Sequence, residues 1–152
     1  MKRLLLALAA TATLAACGPS REPSTTPAPA AGFGAETPQA AVTQFFAAVK
    51  AGDLQAMGSI WGNAEGPALR QFDREELEKR ELLMICHLNH DSARILEQVR
   101  SGQPQHTVFK TEIKKGPLTR QTNISTIQGP QGRWFELSDG LYQPAFKTPN
   151  EE

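Results

Sequence analysis

Apolar and polar positions change their pattern three times along this chain. From Leu4 to Ala16 the residues are almost all Leu or Ala, broken by Thr11 and Thr13. Between 37 and 91 apolar residues recur at helical spacing, and from 92 to about 138 they alternate in short β-branched and aromatic runs. Val42, Phe45, Phe46 and Val49 fall at i, i+3, i+4 and i+7, one stripe of a first helix. Thr37 is placed to cap it, with Pro38 at the first helical position, where a missing N–H costs nothing. Gly52 ends it. Asp53 then caps a second short helix carrying Leu54, Met57, Ile60 and Trp61, and Gly62, Gly66 and Pro67 mark a loop. Asp73 with Glu76 resembles a capping box for a third helix with Leu77, Met84 and Leu88 on one face.

Four strand-like runs follow, at 92–100, 105–115, 118–128 and 133–138. They are separated by turn signals of hairpin length: Ser101-Gly102-Gln103-Pro104, Lys115-Gly116-Pro117 and Gly129-Pro130-Gln131-Gly132. Helices followed by an antiparallel meander predict the α+β class, with the N-terminal helices packed on a four-stranded antiparallel sheet. The globular part is expected over 37–143, with a flexible tail at 144–152.

The first apolar run carries an address. Lys2 and Arg3 precede it, and it ends Leu14-Ala15-Ala16-Cys17. A run this short with small residues at its end reads as a signal peptide over 1–16, since a spanning helix needs ~20 apolar residues. Leu-Ala-Ala-Cys resembles the bacterial lipobox. That resemblance implies diacylglycerol on the Cys17 thiol, cleavage before it and acylation of the new amine. Three chains would form an effectively permanent anchor, since each buried methylene contributes roughly 0.8 kcal/mol. Gly18, rather than Asp, follows the cysteine. By resemblance to lipoproteins of two-membrane bacteria, this points to the outer membrane, with the domain facing the periplasm.

Residues 17–36 hold the lipidated cysteine and a Pro-, Ala-, Ser- and Thr-rich stretch too poor in apolar surface to offset its own ordering. As a tether it would reach ~25 Å as a coil and ~60 Å drawn out as polyproline II. Losing Lys2 and Arg3 with the signal peptide leaves 14 basic against 16 acidic residues, a formal charge of −2. No basic run exceeds Lys114-Lys115, so no nucleic-acid partner is expected. Cys86 is then the only unmodified cysteine, so the fold must rest on its core, and Cys86 itself reads as a small buried apolar residue.

The run Ala41-Val42-Thr43-Gln44-Phe45-Phe46-Ala47-Ala48-Val49-Lys50-Ala51-Gly52-Asp53-Leu54, with Met57, Ile60 and Trp61 after it, resembles the opening of nuclear-transport-factor-2-like domains. Gly132-Arg133-Trp134-Phe135-Glu136-Leu137 resembles their closing strand. The resemblance spans about 37–140 and implies a curved sheet wrapped around helices, enclosing a cone-shaped cavity. It leaves function open, because members include isomerases, polyketide-cyclase-like enzymes, dehydratases and transport adaptors. The isomerases set a carboxylate base opposite a Tyr and a protonated acid. Here the one tyrosine, Tyr142, lies beyond the last strand and no Asp falls in a strand, so no catalytic residue is carried over.

Other chemistry is thin. Cys86 and His90, if both helical, would share a face at i, i+4, but two ligands do not make a metal site and His106 is the only histidine left besides His87. The favoured reading is a helix end with a buried thiol and solvated imidazoles. A cofactor is not expected. The strand faces offer a candidate cavity lined by Trp61, Phe109, Trp134 and Glu136. If Trp134 faces inward, Glu136 is drawn in beside it as a desolvated polar handle. If Phe135 and Leu137 face inward, Glu136 is solvated, the favoured case because charges are rarely buried unpaired. Trp61 and Phe72 fit better as a seal between helices and sheet. The leading expectation is a non-catalytic, lipid-anchored envelope domain binding a small apolar ligand or a partner protein. The alternatives are a cavity enzyme of the isomerase, dehydratase or cyclase type and a scaffolding lipoprotein docked to an envelope complex.

Overall fold

A computed structural model describes residues 32–99 and 101–137. Cys17, the apolar leader, most of the tether, Tyr142 and the tail lie outside them. Three helices come first, α1 (Pro38–Ala51), α2 (Leu54–Ile60) and α3 (Arg74–Leu88). Each starts at the cap expected from sequence. Thr37 Oγ1 accepts from the Ala40 amide at 3.1 Å, and Asp53 and Asp73 accept from Ala56 and Glu76 at 3.0 Å. A net of one orphan amide is satisfied at each helix start. Glu76 does not close a capping box; it pairs instead with Arg80 one turn later at 2.7 Å.

Between α2 and α3 the loop expected at Gly62–Pro67 holds a minimal hairpin, β1 (Gly62–Asn63) against β2 (Gly66–Pro67). After α3 come β3 (Ser92–Val99), β4 (His106–Lys115), β5 (Leu118–Gln128) and β6 (Trp134–Leu137), antiparallel neighbours in that order. The fold is therefore α+β, helices then a four-stranded meander. One irregularity, between Ile95 and Glu97, interrupts the β3–β4 register.

Strand alternation places Thr107, Phe109, Thr111 and Ile113 of β4 on the buried face, with Ile124 and Thr126 beside them on β5. Against this face α1 buries Ala41, Val42, Phe45, Phe46, Ala48 and Val49, seated mainly over β5 and β6. Side-chain burial of this size is the main stabilising term. Among the described residues no helix is long and apolar enough to cross a membrane.

Three local expectations are corrected. The packed chain begins before Thr37. Ala35, 1 % exposed, exchanges two backbone hydrogen bonds with Trp134, at 2.8 and 2.9 Å. Arg133 grips the Gly34 carbonyl at 2.6 Å, and the Arg70 guanidinium lies 4.3 Å over the Phe33 ring. Second, Cys86 is exposed, as are Leu82 and Leu83. The buried stripe of α3 runs Leu77, Glu81, Met84, Leu88, which places residue 86 on the other side of the helix. Third, β6 is covered on both faces: Phe135 and Glu136 are 1 % and 0 % exposed. Gly34 and Gly129 crowd the Phe135 ring so closely that a Cβ on either would meet it at 2.8 Å. Trp61 bridges Glu136 on the free edge of the strand.

Removing the Phe45 ring from the centre of this core should cost about 3–5 kcal/mol, enough to bring a domain of this size near unfolding. Phe33→Ala, which loses only a cation–π contact at a half-open site, should cost about 0.5–1 kcal/mol. Urea melts of the two variants check the contrast; equal midpoint shifts would contradict the seating of α1.

Candidate functional site

Because α1 sits over β5 and β6, the first half of β3 stands away from it and a cleft of about 460 Å³ opens between them. Its apolar lining is Val42, Phe46 and Ala47 from α1 with Ala93 and Ile95 from β3. Polar groups are as prominent: Gln39, Thr43 and Lys50 from α1, His90 and Asp91 from the helix-to-strand connection, and Ser92 and Thr111 from the sheet.

Local chain geometry sets the histidine. Helix α3 stops at Leu88, and the His90 ring folds back so that Nδ1 lies 2.8 Å from the Leu88 carbonyl. A carbonyl only accepts, so Nδ1 carries the proton and Nε2 is the nitrogen left over. His90 is 5 % exposed and meets Phe46 edge-on, ring centroids 5.3 Å apart. Lys50 Nζ donates to the Asp91 carbonyl oxygen, which moors the ammonium at the connection between α3 and β3. The Asp91 carboxylate accepts from the Gly116 amide of the β4–β5 turn at 2.7 Å. Arg94 also lines the cleft, with its guanidinium on Glu112 at 3.0 Å.

None of the four ligand-contacting residues expected from sequence lines this cleft. Trp61 stacks on Phe72 at 5.6 Å with the ring planes 16° apart, a seal between helices and sheet. Phe109 is a core residue of β4, and Trp134 packs half-buried against the same core. Glu136 is fully buried rather than solvated, a correction that follows from its pairing with Thr126 on the inner face of the sheet, with Trp134 on the same side of β6. The Cys86–His90 pair does not form: Cys86 is exposed on α3, while His90 is off the helix and buried. The expected solvated imidazole at 90 and buried thiol at 86 are thus exchanged. Among the described residues no three His, Cys, Asp or Glu side chains gather as a metal site.

A second buried acid was not foreseen. Glu81 is 2 % exposed in the α2–α3 contact, and its Oε1 has no hydrogen-bond partner among the described residues. Gly58 makes the room, since a Cβ there would lie 2.7 Å from that oxygen. Burial, with smaller contributions from the Glu78 and Asp53 charges, pushes the Glu81 carboxyl from 4.5 up to about 7. The signal was present: 77, 81, 84 and 88 share one helical stripe, so burying the three apolar members takes Glu81 with them.

No family model matches this chain, and no curated protein sequence does. Among solved structures the chain is similar to a protein from Thiobacillus denitrificans described as a calcium/calmodulin-dependent protein kinase type II association domain. Identity is 16 %, the match covers 70 % of this chain and 93 % of that one, and the TM-score is 0.41.

The raised Glu81 carboxyl sets a sign for stability against pH. Between 4.5 and about 7 the unfolded chain has lost this proton and the folded chain keeps it, so stability falls as pH rises through that window. The loss should total on the order of 3 kcal/mol and level off above it. Glu81→Gln should remove that slope and melt later than the parent at pH 8. Chemical unfolding at a series of pH values checks this; parallel curves for the two proteins would contradict it.

Proposed function

We propose that this chain is a lipid-anchored domain of the cell envelope that binds a small, largely apolar ligand in the cleft between α1 and β3 and carries out no chemistry on it. The anchor half rests on the run ending Leu14-Ala15-Ala16-Cys17 and on Gly18 after it, which point to an outer-membrane lipoprotein tethered over 17–36. The observation that carries the binding half is the cleft: about 460 Å³, with apolar side chains from α1 and β3 interspersed with polar ones on both walls. A concave site that offers both kinds of surface can take affinity from its apolar area and orientation from its polar atoms.

A second reading, proton transfer on a bound substrate, has one observation in its favour, the His90 nitrogen left over beside the cleft. General acid–base chemistry also needs a partner group within reach. The Asp91 carboxylate is engaged by Gly116 and Lys50 by the Asp91 carbonyl, which favours binding over turnover.

Ala47 is exposed on the helical wall of the cleft, so Ala47→Trp should fill it from the open side at little cost to folding. Native mass spectrometry should find a small molecule retained by the parent and lost from the variant, with both melting within about 0.5 kcal/mol of each other. Retention by both would place the ligand elsewhere, and a ligand released in altered form would favour the enzyme.

Cys17→Ser should move the protein from the membrane fraction to the soluble periplasmic fraction with its fold unchanged. Membrane fractionation checks this; a variant that stays in the membrane would refute the anchor.

A further inference from the structure

We propose that Glu81 is the latch of a proton-operated switch: protonated, it lets α3 close against α2, and ionised, it drives that contact open while the rest of the domain stays folded. Three observations on the helix layer lead there.

The first is the enclosure of the acid. Glu81 is 2 % exposed, and its Oε1 has no hydrogen-bond partner among the described residues. The oxygen fits only because position 58 has no side chain: a Cβ there would lie 2.7 Å from Oε1 and 2.8 Å from the Leu69 side chain. Buried polar atoms are normally satisfied, and an ionised carboxylate is the form least tolerant of such a place.

The second is the charge around it. Helix α2 carries no charged residue, and Asp53 at its cap is an acid. The 3-10 turn Ala68–Arg70 brings Arg70, which is engaged over the Phe33 ring. From α1 the only charge is Lys50, held on the Asp91 carbonyl. On α3 itself Glu78 is a further acid, Lys79 pairs with Glu75 and Arg80 with Glu76. Arg74 is exposed two turns away, roughly 10 Å along the axis. No cation pairs with Glu81 among the described residues, and the Glu78 and Asp53 charges add to burial in holding its proton. A neighbouring cation would make this a fixed ion pair; neighbouring acids make it a site for a proton.

The third is the fastening of α3. It packs on α1, α2 and the 3-10 turn, and its opposite face, with Lys79, Leu82, Leu83 and Cys86, is exposed. What holds it is the stripe Leu77, Glu81, Met84 and Leu88. Lifting that stripe from α2 breaks no strand pairing, so an ionised Glu81 reaches water by a local opening that leaves the sheet intact. The open form loses its proton near 4.5 and the closed form near 7. Rising pH therefore favours the open form by up to about tenfold per unit within that window, ~300-fold in all, and no further above it.

Methyl NMR of the full chain with a soluble paramagnetic agent, taken from pH 5 to 8.5, tests this. The Met84 and Leu77 methyls, 7 % and 6 % exposed per residue, should broaden severalfold more as the pH passes about 7, with the Glu81 carboxyl carbon titrating in step. The Ile124 methyls in the sheet core should stay protected throughout. Glu81→Gln keeps the shape of the neutral acid and should hold the α3 methyls protected at every pH. Titration of Glu81 near 4.5 would overturn the proposal, as would titration near 7 with Met84 and Leu77 still protected, which would mean the charge is tolerated in place. The same broadening in Glu81→Gln would assign the opening to another group, and Ile124 broadening in step would show unfolding of the whole domain; either result refutes the switch.

Discussion

Phe45 and Phe46 stand side by side on α1 with their rings 5.8 Å apart, and they serve two different surfaces. Phe45 is enclosed by the core over the inner face of the sheet. Phe46 turns its ring to the edge of His90 and forms part of the cleft wall. A helix held over β5 and β6 by the first contact cannot also lie on β3. The cleft is the space left by that choice. Close packing normally leaves few voids larger than a water, so an opening of about 460 Å³ beside a packed helix marks a place where the chain forgoes burial.

The same seating explains what the sequence made legible. Helix starts were readable because capping is local: Thr37, Asp53 and Asp73 sit within three residues of the amides they satisfy. Strand runs were readable because alternation and turn residues are local as well. The β4 pattern of Thr107, Phe109, Thr111 and Ile113 needs only one covered face to show itself. Together these were enough for the α+β meander.

What stayed hidden depends on contacts between distant segments. Gly34 and Ala35 have almost no side chain to announce them; Gly34 is tied to the Ser59 carbonyl and the Arg133 side chain, and Ala35 to the Trp134 backbone ninety-nine positions later. Glu136 was read on the assumption that one face of its strand meets water. That fails because the register pairs Glu136 with Thr126, on the sheet face that carries Phe109 and Thr111 beneath the helices. Cys86 lies off a stripe that could have been traced through Glu81, so that error was one of helical phase. His90 is a different case: it lies past the end of α3, where no periodicity applies. Its burial is set by Phe46, forty-four positions earlier. The two buried acids also differ from the cleft in kind. Glu81 lies in a helix contact made possible by Gly58, and Glu136 lies in the sheet core, while the cleft holds charges of both signs, Lys50 and Asp91, each bonded to a backbone group.

The central claim is that the gap between α1 and β3 is where a ligand sits, and intermolecular nuclear Overhauser effects from the small molecule that co-purifies with the chain test it most directly. The account expects contacts from that molecule to the Ala93 and Ile95 methyls and the Phe46 ring. Contacts confined to the exposed Leu82 and Leu83 of α3 would contradict it.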